Sequence, residues 1–183
     1  VWNTSEFARS FGVSTTTVTK YLDALTSAFV VQQLRPWAQN VGKRVVKSPK
    51  IYLADTGILH TLLGIDTPRD LNRHPKLGAS WEGFMLTQIV RVLGARADEC
   101  YFWATHAGAE LDLLVTSGRR RLAFEIKRTD APTVTKCMRT AMETLGLKNL
   151  DVIHAGRRTW QLAPGIRAVA CGDLLTELKP IRS

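Results

Sequence analysis

Glu110-Leu111-Asp112-Leu113-Leu114-Val115, followed after one turn by Ala123-Phe124-Glu125-Ile126-Lys127, decides how this chain is read. Both phrases read as strands. Strand alternation puts Glu125 and Lys127 on one face and Phe124 and Ile126 on the other. By the same rule Asp112 shares a face with Glu110 and Leu114, which leaves Leu111, Leu113 and Val115 for the opposite face. Ser117-Gly118-Arg119 supplies a hairpin turn, so Asp112 and Glu125 can meet across neighbouring strands. Two carboxylates on adjacent strands, with a lysine beside them, can hold a divalent metal and steady an attacking water. That is the chemistry of phosphodiester hydrolysis.

Working outward, the spacing predicts a helix over 78–93. Trp81, Phe84, Met85, Gln88 and Val92 form one stripe of it, and Met85, Leu86, Ile89 and Leu93 its neighbour. Glu82 falls on the apolar side, where a lone carboxylate is costly to bury. A metal or a cationic partner would relieve it; a boundary glutamate paired with an arginine is the plainer alternative. Strands are expected over 100–105, 111–116 and 121–127. A helix over 133–145 follows, with Pro132 near its first turn and Gly146 after its end. Strands over 150–155 and 166–170 and a helix over 172–179 complete this half. Asp66 to His74 is polar, carries Pro68 and is followed by Pro75, and reads as a connecting loop.

Toward the amino terminus, Asn3-Thr4-Ser5-Glu6 can cap a short helix that runs to Phe11 and ends at Gly12. Ser14 starts a second helix whose Val18, Tyr21, Leu22 and Leu25 face one core. Ala8, Gly12 and Val18 suit the small, turn and packing positions of a helix-turn-helix. The second helix would offer Thr15, Thr16, Thr17, Thr19 and Lys20 to DNA. Strands over 29–34 and from Val45-Val46 to 51–53 would make a ribbon whose turn holds Asn40, Gly42, Lys43 and Arg44. Two helices and a ribbon in this order make a winged helix, with Lys43 and Arg44 on the wing. Asp55-Thr56-Gly57 reads as a helix cap, because an aspartic protease needs a second, facing carboxylate.

Bulk composition narrows the classes. The formal net charge is +9, and residues 1–55 hold seven Lys or Arg against three Asp or Glu. Such an excess favours nucleic acid as partner. Cys100, Cys137 and Cys171 are too few and too scattered for a disulfide framework or a zinc cluster, so a reducing cytoplasm is expected. The four histidines are isolated and read as ordinary polar residues. No apolar run reaches the ~20 residues of a membrane span. The start at Val1 rather than Met suggests an excised part of a longer protein.

With these residues in hand, the set Glu82, Asp112 and Glu125-Ile126-Lys127 resembles the PD-(D/E)-x-K nuclease superfamily. The wider order is Ser5-Glu6-Phe7-Ala8, Lys50-Ile51-Tyr52, Asp55-Thr56-Gly57, Trp81-Glu82 and Glu125-Ile126-Lys127. It is similar to the uncharacterised C-terminal region of a group of prokaryotic AAA-type ATPases. The resemblance implies an α/β (α+β) chain: a winged helix-turn-helix over 1–55, a connector over 56–76, and a restriction-endonuclease-like αβββαβ domain with a central mixed sheet over 77–183. It also implies an ATP-binding domain upstream. This segment itself has no Gly-x-x-x-x-Gly-Lys-Ser/Thr loop, and Leu111 stands where the superfamily often has Pro. The expected catalytic set is Asp112, Glu125 and Lys127. Mg²⁺ or Mn²⁺ would sit on Asp112, Glu125 and the Ile126 carbonyl, with Glu82 on the same or a second ion. Lys127 would orient the attacking water, and Arg119, Arg120, Arg121 and Arg128 would grip the phosphate backbone. Expected partners are DNA and the upstream ATPase domain, with no membrane; self-association stays open. The competing expectation is a nuclease fold without catalysis, in which the same residues form salt bridges and the domain binds DNA or docks the ATPase.

Overall fold

The computed structural model describes residues 2–37 and 48–182. Lys43 and Arg44, expected on a wing, lie outside the described residues, as do Asn40 and Gly42. Among the described residues the chain is a mixed α/β fold with seven α-helices around a mixed eight-stranded sheet.

Two short helices come first, α1 (Thr4–Phe11) and α2 (Thr15–Ser27). Their ends follow the sequence cues. The Asn3 side chain accepts from the Glu6 amide, and Gly12 ends α1 in the left-handed region at φ 65°. Ser14 caps α2 by accepting from the Thr17 amide at 3.1 Å. Only Ala8, Val18 and Leu22 are buried in this pair. Tyr21 and Leu25, expected in the core, are exposed, because the neighbouring ribbon covers only part of α2.

The ribbon is β1 (Val31–Pro36) antiparallel to β2 (Lys50–Leu53). Its first strand starts two residues later than expected, since Phe29 takes a positive φ of 58° and turns the chain. β1 also lies parallel to β3 (Cys100–Ala104), so the ribbon joins the main sheet across the boundary expected at residue 55. Between ribbon and sheet come α3 (Thr56–Leu62), α4 (Pro68–Arg73) and α5 (Leu77–Leu93). Asp55 caps α3 by accepting from the Ile58 amide at 3.0 Å. The loop expected around Pro68 is a helix instead. Thr67 caps it, and proline is welcome in a first turn where its missing N–H has no partner to lose.

The remaining elements are β4 (Glu110–Ser117), β5 (Arg120–Lys127), α6 (Lys136–Leu145), β6 (Leu150–His154), β7 (Trp160–Ala163), β8 (Ile166–Ala170) and α7 (Leu174–Glu177). Strand order is β2-β1-β3-β4-β5-β6-β8-β7, with β5, β6 and β8 mutually parallel. Helices cover both faces. Met85, Leu86, Ile89 and Leu93 of α5 pack on Phe102, Leu113, Val115, Phe124 and Ile126. Met138, Ala141 and Leu145 of α6 pack on Trp103, Leu111, Leu114 and Ala123.

This partition corrects the expected faces of β4. Leu114 lies with Leu111 on the α6 side, and Leu113 with Val115 on the α5 side. The cause is an irregular register: Tyr101 sits opposite Leu114, but Trp103 sits opposite Leu111. One extra β4 residue is therefore accommodated opposite Phe102, as in a β-bulge. Alternation slips at Asp112-Leu113, and Asp112 is the residue re-aimed by it.

Candidate functional site

The β4–β5 ladder pairs as far as Leu113 opposite Phe124. Beyond that pair the Ile126 amide donates to Asp112 Oδ2 at 2.9 Å, so a side chain stands in for the ladder. Asp112 and Glu125 are both buried here, at 6% and 4% exposure. Lys127 closes β5 at the same end of the hairpin, its Nζ 2.7 Å from Glu125 Oε1. Glu125 Oε2 is buried and has no hydrogen-bond partner. An orphaned carboxylate oxygen at that depth is costly unless a cation or water meets it.

Glu82 arrives from α5 and points into the cluster, but its partners come from the ribbon. Lys50 Nζ lies 2.8 Å from Glu82 Oε1 and 3.4 Å from Asp112 Oδ1, and it also pairs with Glu110. Tyr52, on the same face of β2, donates its hydroxyl to Glu82 Oε1. Gly83 makes room for this contact: a Cβ there would sit 3.0 Å from the Tyr52 ring. The cationic partner expected beside Glu82 is thus a lysine from the amino-terminal ribbon, not an arginine. Sequence reasoning placed Lys50 and Tyr52 in a motif without giving them a role. The available signal was Lys-x-Tyr on one strand face, which cannot tell which sheet the ribbon joins.

Electrostatics follow from burial and neighbours. Burial, then the nearby Glu125 and Glu82, push the Asp112 carboxyl up to about 7 against the pull of Lys50 and the Ile126 amide. Burial also raises Glu125, with Lys127 opposing. For Lys50, burial acts to lower the pKa, but Tyr52, Asp112, Glu82 and Glu110 outweigh it and hold the ammonium above the usual lysine range. Lys127 is raised too, its burial outweighed by Glu125, Asp112 and Glu82. Four carboxylates (Glu82, Glu110, Asp112, Glu125) against two ammonium groups (Lys50, Lys127) leave a formal charge of −2 when all are ionised. Among the described residues no group of three or more Asp, Glu, His or Cys side chains is arranged to hold a metal ion. Asp112, Glu125 and the Ile126 carbonyl are the groups that could hold a cation.

The arginines divide. Arg119, Arg120 and Arg121 sit at the far end of the β4–β5 hairpin, roughly 20 Å from Lys127 at ~3.3 Å per residue, so they do not flank the site. Arg121 is bound there, donating to the Leu145 carbonyl at 2.8 Å and lying over the Trp37 ring. Arg128 is adjacent to the site and donates to Asn72 Oδ1 at 2.7 Å. A cleft of about 750 Å³ opens just past the carboxyl ends of β5 and β6, lined by Asp130, Arg157, Arg158 and Trp160 among others. Buried His154, at the end of β6, ties down two of the neighbouring residues: Nδ1 accepts from the Gly156 amide at 3.1 Å, which leaves Nε2 to donate to the Arg158 carbonyl at 3.0 Å. In α2, Thr15, Thr16, Thr19 and Lys20 are exposed, while Thr17 is half-buried and engaged with Ser14.

A mixed sheet covered on both faces, with acidic and basic side chains gathered where β4 and β5 part, defines an α/β domain with a polar centre. The chain belongs to the family described as Domain of unknown function (DUF4143), whose model matches residues 77–174, a domain often found at the C-terminus of AAA ATPases. A second model, Domain of unknown function (DUF8612), matches residues 1–69. The chain is 48% identical over 172 residues to Uncharacterized protein Rv2008c of Mycobacterium tuberculosis and equally to Uncharacterized protein Mb2031c of Mycobacterium bovis. Each alignment covers 94% of this chain but 38% of the relative, so the chain spans well under half the length of the curated relatives it matches. No solved structure matches it. Among the described residues no helix is long and apolar enough to cross a membrane.

Proposed function

We propose that this chain is the DNA-directed C-terminal part of an AAA-type ATPase, combining a winged helix-turn-helix with a PD-(D/E)-x-K nuclease-like domain that hydrolyses phosphodiesters. The observation that carries this reading is the convergence of Asp112, Glu125 and Lys127 at one hairpin end, with Glu125 Oε2 buried and unpartnered. Asp112, Glu125 and the Ile126 carbonyl would hold Mg²⁺ or Mn²⁺, the hard cations that oxygen ligands without histidine favour. The ion would polarise water and phosphate there. Lys127, half-exposed and anchored by Glu125, offers its remaining N–H groups to the attacking water and to charge growing on the phosphate. Arg157 and Arg158, exposed along the neighbouring cleft, suit the passing DNA backbone. Exposed Lys20 on α2 suits a second phosphate contact. ATP binding belongs to the upstream domain.

Incubation with supercoiled plasmid and Mn²⁺ tests the reaction. Nicking is expected from the wild type and absent from Lys127→Ala; equal nicking by both points to a contaminating nuclease and removes the proposal.

A titration adds an independent check. The cation needs Asp112 ionised, and that carboxyl stays protonated up to about pH 7 in the fold. Mn²⁺ affinity is therefore expected to rise by up to about tenfold per pH unit from pH 5 to 7 and then level off, as read by calorimetry. A flat profile over that range would place the ion elsewhere.

A second reading has one observation in its favour. Lys50 neutralises much of the acid cluster from within, as a salt-bridged remnant would. On that reading the nuclease fold only binds DNA or docks the ATPase, and the plasmid experiment gives no nicking at all.

A further inference from the structure

Two cations already sit among the acids, and they are held differently. Lys127 is close to half-exposed and, among the described residues, pairs with Glu125. Lys50 is enclosed, its side chain 12% exposed, and touches three carboxylates contributed by α5 and β4. Its place is fixed from several sides. The backbone of Lys50 is paired with Leu34 in the ribbon. Its ammonium lies 5.5 Å from the centroid of the buried Phe102 ring. Tyr52, two residues on, clamps the Glu82 oxygen that Lys50 also holds. This ammonium therefore occupies the space between Glu82 and Asp112.

On the other side of the cluster the buried acceptor is Glu125. Glu125 Oε2 has no partner, and its side chain is 6% exposed. The formal charge left over, −2 with Lys50 counted, matches one divalent ion and is overshot by two.

We propose that Lys50 is the resident second cation of this site, so that Glu82 and Glu110 serve the lysine and a single divalent ion binds, on the Asp112–Glu125 side. This rests on the metal-site reading above and adds to it a stoichiometry and a residue from outside the nuclease-like segment. The ribbon thereby completes the chemistry of the domain that follows it: residues matched by one family model supply a charge to the centre of the other. Two metal ions held as a pair act as a symmetric clamp on attacking and leaving oxygens. Here one arm of that clamp would be an ammonium, fixed in the fold and independent of metal concentration.

Calorimetric titration of the 183-residue chain with Mn²⁺ tests this without measuring cleavage. Wild type is expected to bind one Mn²⁺ per chain. Lys50→Met, which keeps the apolar stem and removes the charge, is expected to bind a second Mn²⁺, or to bind the first at least about tenfold more tightly, since a nearby positive charge is gone. Lys50→Arg restores the charge and is expected to keep one site with affinity closer to wild type. Lys50→Gln serves as a second neutral variant should Lys50→Met fail to fold. Two Mn²⁺ in the wild type, or neutral variants that titrate like the wild type, would overturn the role given to Lys50 while leaving the metal site standing. No binding by the wild type would overturn both.

Discussion

Asp112→Asn is expected to erase the stabilisation that Mn²⁺ gives the wild type and to lower Mn²⁺-dependent nicking by about 10²–10³-fold, the scale on which one preorganised electrostatic group is lost. The substitution is chosen because asparagine keeps an oxygen for the Ile126 amide, so the hydrogen bond that replaces the ladder survives, while its amide nitrogen replaces the oxygen 3.4 Å from Lys50 Nζ and gives up that contact. The metal-free variant should be no less stable than wild type at pH 8, and the sign can be worked out. The folded carboxyl is raised to about 7 from its ordinary 3.8, so between those values the folded state binds more protons than the unfolded one. Stability from this group is therefore lost as pH rises through that window, and at pH 8 a buried ionised Asp112 opposes folding. A neutral residue removes that opposition. Melting curves with and without Mn²⁺ check both halves; a persistent Mn²⁺ gain in Asp112→Asn would show that the ion binds without this residue.

Phe102→Ala is expected to cost about 3–5 kcal/mol of unfolding free energy, the range for emptying a large aromatic site in a packed core. Phe102 is fully buried in the layer between sheet and α5, opposite the irregularity that re-aims Asp112. It also forms the floor beneath Lys50. The cavity should therefore do more than destabilise: Lys50 loses its shelf and Asp112-Leu113 their opposing side chain. Phe102→Leu, which fills most of the space, should cost much less. Denaturant melts of both variants give the comparison; equal losses would show that the volume at this position is unimportant.

The sequence disclosed some of this plainly. Helix ends were legible at Asn3, Gly12, Ser14 and Gly146, because a cap is a local contract between a side chain and backbone groups a few residues away. The Glu125-Ile126-Lys127 alternation was legible for the same reason, since β5 runs without interruption from Arg120 to Lys127. β4 was harder. Its alternation breaks at Asp112-Leu113 because of how β3 lies against it, and nothing in Leu111 to Leu114 marks where an extra residue will be absorbed. Pro68 misled for a related reason: the same residue stops a helix or starts one, according to whether the residue before it caps.

Residue order alone thus determined the composition of the centre, two acids and a lysine on a hairpin, and the helix before them that carries Glu82. Periodicity reports which side chains share a face, and it does so wherever a strand is regular. Only the tertiary structure decided that the ribbon joins the main sheet through β1 and β3, which brings Lys50 and Tyr52 to Glu82 from 32 and 30 positions away in the chain. It also decided that Arg119 to Arg121 stand at the wrong end of their hairpin to reach the acids. The physical reason is one of range. Hydrogen bonding and alternation act over a few residues, whereas a charge that must be neutralised inside a fold is met by whatever distant segment the packing carries to it.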